Sequence, residues 1–236
     1  MGKAAADKAA EALKAAIAQK GHAVFIVATG ASQFEFLEAL IATPGIEWAK
    51  TTMFHLDEYL GISDTHPASF RKYLRERFAS KVKPGTIHWI GGDATYSETE
   101  RKRLGDLIAK ETVDVCFCGI GENGHLAFND PPADFKTEEP YLIVDLDEAC
   151  RKQQLGEGWF KTLDEVPKKA ISMGIRQIMK SKRIICTVPD ERKARAVVDC
   201  MEGPVSNLHP ASILQEHPDC QVYLDRPAAG LLSKKY

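Results

Sequence analysis

The feature that most constrains the fold is an alternation of short apolar runs with segments of helical periodicity. Apolar runs typical of buried strands occur at residues 23–28, 51–56, 86–90, 113–118, 141–144, 169–173, 183–188 and 220–224. Segments with helical spacing occur at residues 4–20, 34–41, 67–78, 95–110 and 191–202. Residues 148–160 fit neither period. The alternation predicts an α/β fold of the Rossmann-like type, with a doubly wound, mostly parallel sheet and helices on both faces.

Composition narrows the class of protein. The chain has 236 residues, 44% of them hydrophobic and 27% charged, which is enough apolar material for one α/β domain over residues 1–236. We find no linker, low-complexity segment or repeat in it. The net charge of −2 gives no broad basic field, so we expect neither a nucleic-acid partner nor a membrane surface.

The cysteines and the N-terminus favour a cytoplasmic protein. None of the six cysteines forms a CxxC pair or a cluster with zinc-site spacing, so we expect reduced structural thiols and no metal. The first 21 residues are rich in alanine and charged throughout, which is unlike a signal peptide. No apolar stretch reaches the ~20 residues that span a bilayer.

The stretch 113–132, VDVCFCGIGENGHLAFNDPP, has the densest set of reactive side chains. Its apolar run ends in glycines, which indicates a strand that opens into a ligand-binding loop. The loop carries Asn123, His125 and Asp130. Its GIGENG segment also fits the GxGxxG spacing of dinucleotide sites. However, that fingerprint usually follows the first strand, and here it lies in mid-chain with a bulky histidine directly after it, which disfavours nicotinamide binding.

Polar groups also follow other predicted strands: Thr29, Gly30, Ala31 and Ser32 after the first, Asp57 and Glu58 after the second, and Lys193 after a later one. Because the carboxyl ends of parallel strands meet at one edge, these groups can share a crevice. A small-residue turn and a lysine suit a phosphate, and a carboxylate with an imidazole suits general acid–base chemistry.

Each of these residues also has a structural interpretation. Ser32 can be a plain N-cap, Asp57 can cap a turn, and His125 can bond to backbone at a helix start. Lys193 can be one more charge on an exposed helix. The basic residues of the 67–78 helix, Arg71 among them, favour a solvated face. No GxSxG motif is present, which argues against a serine hydrolase.

Several motifs in order resemble the glucosamine-6-phosphate deaminase family. They are FHLDEY at residues 54–59, HPxSF at 66–70, GIGxNGHxAFNDP at 119–131, VPKKAISMG at 166–174, EGP at 202–204 and PAS at 210–212. The resemblance runs from about residue 24 to 231. The wider superfamily includes the 6-phosphogluconolactonases, which share the sheet and the glycine-histidine loop.

The resemblance implies conversion of an amino sugar phosphate to fructose 6-phosphate and ammonia, without metal or organic cofactor. The family's base, which moves a proton between C2 and C1, corresponds to Asp57. The histidine that helps open the pyranose ring corresponds to His125, the acid that orients it to Asp130, and the residue two positions before it to Asn123. The phosphate loop corresponds to Thr29, Gly30, Ala31 and Ser32, and the phosphate lysine to Lys193.

The chain departs from the family at three positions. Asp130 stands where a longer glutamate is usual, and Asn123 is a neutral amide. Gly158 stands where an arginine usually binds the phosphate. We expect Arg151 or Lys152 to supply the missing charge.

The family also sets expectations on regulation. The chain is short compared with the allosteric hexamers, so we expect no allosteric activation, and a homo-oligomer is a candidate state. Two alternatives stay open: a lactone hydrolase of the 6-phosphogluconolactonase type, and a sugar-phosphate sensor without turnover.

Overall fold

The computed structural model describes residues 1–233. Its strands are β1 Ala23–Val27, β2 Thr51–His55, β3 Asp57–Tyr59, β4 Thr86–Ile87, β5 Val115–Cys118, β6 Tyr141–Asp145, β7 Lys169–Met173, β8 Arg183–Val188 and β9 Cys220–Leu224. Its α-helices are α1 Gly2–Lys20, α2 Phe34–Ala42, α3 Phe70–Leu74, α4 Ser80–Val82, α5 Ser97–Ile108, α6 Glu148–Gly156, α7 Ile175–Met179 and α8 Ala194–Met201. A π-helical stretch, Arg75–Ala79, joins α3 to α4.

The main sheet has six strands in the order β4-β2-β1-β5-β8-β9, and all of its pairings are parallel. The order runs outward in both directions from β1 and β5, as a doubly wound sheet requires. The predicted fold class is therefore confirmed.

Both faces of the main sheet are covered. Along β1, Val24 and Ile26 enter one apolar cluster while Phe25 and Val27 enter the other, because successive side chains of a strand point to opposite faces. The helices α1 and α2 and the α3–α4 region cover the second cluster, and α5, α7 and α8 cover the first. Burial on both faces explains why the strands read as continuous apolar runs.

A second sheet lies beside the first. It has three strands in the order β3-β7-β6, and both of its pairings are antiparallel. The sequence predicted β6 and β7 as strands but did not separate them from the main sheet, because a strand pattern does not specify its partner. This small sheet holds Asp57 in register with Ser172.

The segment 148–160 differs from the prediction, because its first part forms helix α6. Asp147 caps α6 by accepting a hydrogen bond from the Cys150 amide at 2.6 Å. Only Cys150 and Gln154 of the helix are buried, so its apolar stripe is too narrow to give a helical period. The helix packs beside a third apolar cluster that includes Tyr59, Phe128 and Phe160.

Candidate functional site

A cavity of about 440 Å³ opens at the carboxyl edge of the main sheet. Its walls come from the turns that follow β1, β5 and β8, from Asp57 on β3 and from the end of α6. Seven of the predicted site residues line it: Thr29, Gly30, Ala31, Ser32, Asp57, His125 and Lys193. Three do not: Asn123, Asp130 and Arg151.

Asp57 offers the cavity a carboxylate that is not engaged by the protein. Its side chain forms no hydrogen bond with any group in residues 1–233, although only 7% of the residue is exposed. Burial, and then the charges of Glu58 and Glu157, raise the pKa of Asp57 to about 8. A poorly solvated carboxyl with a pKa near neutrality is suited to accept and return a proton.

Glu58 follows Asp57 directly but has a structural position. Its carboxylate accepts hydrogen bonds from the Ser69 hydroxyl (2.8 Å) and from the amides of Phe70 (3.0 Å) and Arg71 (2.8 Å). The Arg71 guanidinium lies 3.4 Å away and also pairs with Asp93 at 2.8 Å. The expectation of a fully solvated basic face is therefore wrong for Arg71, which is buried because it neutralises Glu58.

His55 fixes the backbone that leads into Asp57. Its Nε2 accepts the Ile90 amide at 2.9 Å, so its Nδ1 is the donor to the Asp57 carbonyl at 3.0 Å. Burial lowers the pKa of His55 to about 3. A neutral, fully buried ring with both nitrogens occupied positions Asp57 and does not exchange protons with a ligand.

His125 and Asp130 form the second reactive unit. Asp130 Oδ1 lies 3.0 Å from His125 Nδ1 and accepts a hydrogen bond from the Asn123 side-chain amide at 2.9 Å. Asp130 Oδ2 accepts a hydrogen bond from the Asp147 backbone amide at 3.2 Å. Burial alone would raise the pKa of Asp130, but the hydrogen bonds from His125 and Asn123 outweigh it and the pKa is lowered. An ionised Asp130 makes Nδ1 the donor, which leaves Nε2 for a ligand. The shorter acid therefore reaches the histidine.

Glycine is needed beneath the His125 ring. A Cβ at Gly121 would lie 2.3 Å from two ring atoms of His125, so a larger residue would push the ring out of place. The Asn123 side-chain oxygen accepts the His125 amide at 3.1 Å, which fixes the turn itself. Asn129 holds the far side of the loop by donating to the carbonyls of Leu126 and Met173 at 2.8 Å.

The turn after β1 forms the opposite end of the cavity. Gly30 has φ of 92°, a conformation that favours glycine, and a short 3₁₀ turn, Ala31–Gln33, leads into α2. Ser32 is not a cap, because α2 begins after Gln33 and has no side-chain cap. Gln33 is fully buried and donates to Thr187 Oγ1 (2.9 Å) and to the Cys118 carbonyl (3.3 Å), which ties this turn to β5 and β8. Gln33 was not predicted from the sequence.

Lys193 faces the cavity from the turn that opens α8. The residue is 8% exposed, and its ammonium forms no hydrogen bond or ion pair within residues 1–233. Burial lowers the pKa of Lys193, while the nearby charges of Glu122 and Glu157 oppose that shift. A buried cation beside a turn of small residues is suited to a phosphate.

Arg151 is directed away from the cavity. Its Nε donates to the Val166 carbonyl at 3.2 Å, and its guanidinium Nη2 donates to the Leu163 carbonyl. The guanidinium therefore stabilises the turn between α6 and β7, and its placement does not support the prediction that it replaces the missing arginine. Lys152 pairs with Glu148 at 2.6 Å on the exposed side of α6.

Helix α6 and its end supply cavity residues that the sequence did not predict: Gln153, Gln154 and Glu157. The Tyr59 hydroxyl donates to Gln154 at 2.6 Å, which joins the helix to β3. No spacing in the 148–160 segment marked it as part of a site. Only its nearness to the expected arginine position could have drawn attention to it.

Among residues 1–233, one group of side chains has metal-ligand character. His125, Asp130 and Cys150 have ligand atoms within 4.8 Å of one another. The hydrogen bonds of Asp130 to His125 and Asn123 already account for the carboxylate as an orienting group. No helix in the same range is long and apolar enough to cross a membrane.

Known proteins share this architecture and sequence. The family model for glucosamine-6-phosphate isomerases/6-phosphogluconolactonase matches residues 1–223. A glucosamine-6-phosphate deaminase from Oenococcus oeni is 38% identical over 231 residues, which cover 98% of this chain and 95% of that protein. Another from Streptococcus pyogenes is 37% identical over 214 residues, with 90% of this chain and 89% of that protein covered.

Solved structures agree. A monomeric glucosamine-6-phosphate deaminase superposes with a TM-score of 0.89 at 35% identity, covering 98% of this chain and 95% of that one. The 6-phosphogluconolactonase of Trypanosoma brucei gives a TM-score of 0.78 at 14% identity, with 99% and 96% covered. The second likeness extends to the fold alone.

Proposed function

This chain belongs to the glucosamine-6-phosphate isomerase/6-phosphogluconolactonase family, and we propose that it converts glucosamine 6-phosphate and water to fructose 6-phosphate and ammonia. The observation that carries the proposal is the pairing, in one cavity, of an unengaged carboxylate with a carboxylate-oriented histidine beside a cationic end. We further propose that it is a cytoplasmic enzyme of amino sugar catabolism.

The base in this scheme is Asp57. In the open-chain sugar, its carboxylate takes the proton from C2 and returns it to C1, which turns the C2 amine into an imine. Water then adds at C2 and ammonia leaves. The raised pKa of Asp57, about 8, makes its carboxylate a stronger base than an ordinary aspartate.

The ring must open before C2 can lose its proton, and this is the role we assign to His125. Its Nε2 exchanges a proton with the ring oxygen and the C1 hydroxyl of the pyranose. Asp130, held by Asn123, stabilises the ring in the orientation that this transfer requires. The scheme consists of proton transfers, ring opening, the addition of water and the loss of ammonia, and it includes no metal and no organic cofactor.

At the other end of the cavity, the phosphate is bound by the backbone amides of the turn formed by Thr29, Gly30, Ala31 and Ser32, by the Thr29 and Ser32 hydroxyls and by the Lys193 ammonium. The conformation of Gly30 and the buried cation support this assignment. Arg151 is not part of it.

One assay tests the proposal. The protein is incubated with glucosamine 6-phosphate while ammonia and fructose 6-phosphate are measured, and Asp57→Asn is run in parallel with Asp106→Asn, an exposed aspartate on α5. Both products should appear, and only Asp57→Asn should abolish them. Loss of 6-phosphogluconolactone above its spontaneous rate would favour the lactonase instead. Tight sugar-phosphate binding without ammonia would favour a sensor.

Oligomeric state is a separate question. A homo-oligomer stays a prediction, and one relative at 35% identity is described as monomeric. Size-exclusion chromatography with light scattering distinguishes the two.

A further inference from the structure

The cationic end of the cavity contains an acid that a phosphate site would not be expected to contain. Glu157 follows α6 and lines the cavity. Its two carboxylate oxygens lie 3.8 and 3.9 Å from the position that a Cβ on Gly30 would occupy. The carboxylate therefore faces the turn to which we assign the phosphate.

The charges around Glu157 agree with this position. Burial raises its pKa, and the positive charge of Lys193 is the strongest influence in the opposite direction. Glu122 and Glu157 are in turn the negative charges that act most strongly on Lys193. Neither forms an ion pair with the lysine, so the Glu157 carboxylate acts on it at a distance.

Glu157 lies at the end of α6 between two glycines. Its backbone amide donates to the Gln153 carbonyl at 3.2 Å. The backbone on either side is open, because a Cβ at Gly156 or Gly158 would meet nothing within 4 Å. Gly158 also has φ of 83°, a conformation that a glycine adopts without strain.

A carboxylate and a phosphate cannot both occupy this end of the cavity, since two anions in a poorly solvated site repel strongly. We propose that the Glu157 carboxylate lies beside the anion subsite of the ligand-free protein and must move away when the substrate phosphate binds, so that Glu157 sets the affinity of this subsite for phosphates. The inference rests on the proposed function, because it assigns the same turn and lysine to the phosphate.

The consequence is weaker binding of every phosphate, because inorganic phosphate and a hexosamine phosphate must displace Glu157 at the same cost. The hexosamine phosphate also gains the contacts of its sugar with the Asp57 and His125 region, which offset that cost. Inorganic phosphate has no such contacts, so it should bind poorly. The chain lacks the arginine that the family resemblance led us to expect at position 158, and the neighbouring acid lowers the affinity of the subsite further.

The test compares phosphate binding in the protein and in Glu157→Gln, which keeps the shape and removes the charge. Inorganic phosphate is titrated by calorimetry, with fluorescence of the partly exposed Trp159 as a second signal. We expect its dissociation constant to fall by about tenfold in Glu157→Gln, a change of about 1.4 kcal/mol, because the repulsion between the two anions is removed. In the deaminase assay, KM for glucosamine 6-phosphate should fall while kcat changes little.

The matched control is Glu148→Gln, which neutralises an exposed acid of the same helix that pairs with Lys152 outside the cavity. It should leave the phosphate affinity unchanged. Unchanged or weaker phosphate binding in Glu157→Gln would overturn the proposal, and so would a rise in KM, which would make Glu157 a direct ligand of the sugar. Circular dichroism and thermal melting establish that both variants fold.

The phosphate titration needs no turnover, so it tests the role of Glu157 separately from the proposed deaminase activity. If the protein releases no ammonia from any hexosamine phosphate but Glu157→Gln binds phosphate more tightly, the proposed function fails and the role of Glu157 stands. If ammonia is released and the phosphate affinity does not respond to Glu157→Gln, the reverse holds.

Discussion

Asp57 and Glu58 are adjacent carboxylates on the same short strand, and their surroundings are opposite. Asp57 lines the cavity with its carboxylate unengaged, while Glu58 is fully buried and accepts hydrogen bonds from Ser69, Phe70 and Arg71. The alternation of side chains along a strand turns the one toward the ligand and the other toward α3. Burial acts to raise the pKa of both acids, but hydrogen bonds oppose it only at Glu58.

The comparison separates a carboxylate poised for chemistry from one that organises the fold. Glu58 accepts the amides at the start of α3 and so sets the direction in which the chain leaves the site. The Asp57 carboxylate makes no such hydrogen bonds, so it is available to take up and release a proton. Substitutions at the two acids and at the residues that support the site test this difference between a catalytic and a structural carboxylate.

The largest effect should come from Asp57→Asn. The amide keeps the shape but cannot take a proton from C2, so kcat should fall by at least about 10³-fold while the thermal midpoint does not fall. Ammonia release measures the first quantity and circular dichroism the second. Retention of a tenth or more of the activity would remove Asp57 from the proton-transfer step.

Glu58→Gln should act on stability. A glutamine oxygen can accept one of the α3 amides, but its NH₂ group faces another donor, and Arg71 loses one of its two carboxylate partners. We expect the free energy of unfolding to drop by about 3 kcal/mol in urea titrations. Glu76→Gln, at an exposed position of the following stretch, is the control. A loss under about 1 kcal/mol would contradict the structural role of Glu58.

The pH dependence of stability should differ between the protein and Asp57→Asn. A carboxyl whose pKa rises from 3.8 in the unfolded chain to about 8 in the folded one favours the fold when protonated. Its contribution is complete below pH 4 and is lost progressively up to about pH 8. Asp57→Asn lacks this loss, so its relative stability should increase by about 1 kcal/mol per pH unit between pH 5 and 8.

Urea unfolding at several pH values measures that difference. In parallel, kcat/KM for glucosamine 6-phosphate should rise with pH toward a midpoint near 8, since the base must be ionised in the free enzyme. A stability difference that is constant with pH would mean that Asp57 has an ordinary pKa.

Asp130→Asn should have a smaller effect, because Asp130 acts through His125. The amide cannot stabilise a protonated imidazole, so kcat should fall by about thirtyfold with KM nearly unchanged. Asp130→Glu, which introduces the glutamate that the family resemblance led us to expect here, should retain more activity than Asp130→Asn. Equal losses in the two variants would show that only packing matters at this position.

Much of this site was accessible from the sequence, for a physical reason. Buried parallel strands leave continuous apolar runs, and their polar ends must meet at one edge, so the order of the residues alone assigns Asp57, His125 and Lys193 to one crevice. The roles within that crevice came from the family resemblance. Geometry added what spacing cannot give, such as the 3.0 Å contact between His125 and Asp130.

The sequence predictions failed where the hydrophobic residues follow neither a helical nor a strand period. Helix α6 is largely polar, so its pattern predicted neither the helix nor the entry of Gln153, Gln154 and Glu157 into the cavity. Arg71 looked like a surface charge because a basic run gives no sign of a buried partner that lies 13 residues earlier on another element. In each case a long-range contact decided the outcome, and local sequence does not encode it.

The smallest effect should come from a substitution of Arg151. It compares a cation that holds the fold together, Arg151, with a cation that lines the cavity, Lys193. The Arg151 guanidinium donates to the carbonyls of Val166 and Leu163, so Arg151→Lys should lower the free energy of unfolding by about 1 kcal/mol through lost hydrogen bonds. KM for glucosamine 6-phosphate should change by less than about twofold. Lys193→Gln, which neutralises the cavity cation, should instead raise KM about tenfold or more. A large rise in KM for Arg151→Lys would mean that the α6 segment turns this arginine into the site when the substrate binds.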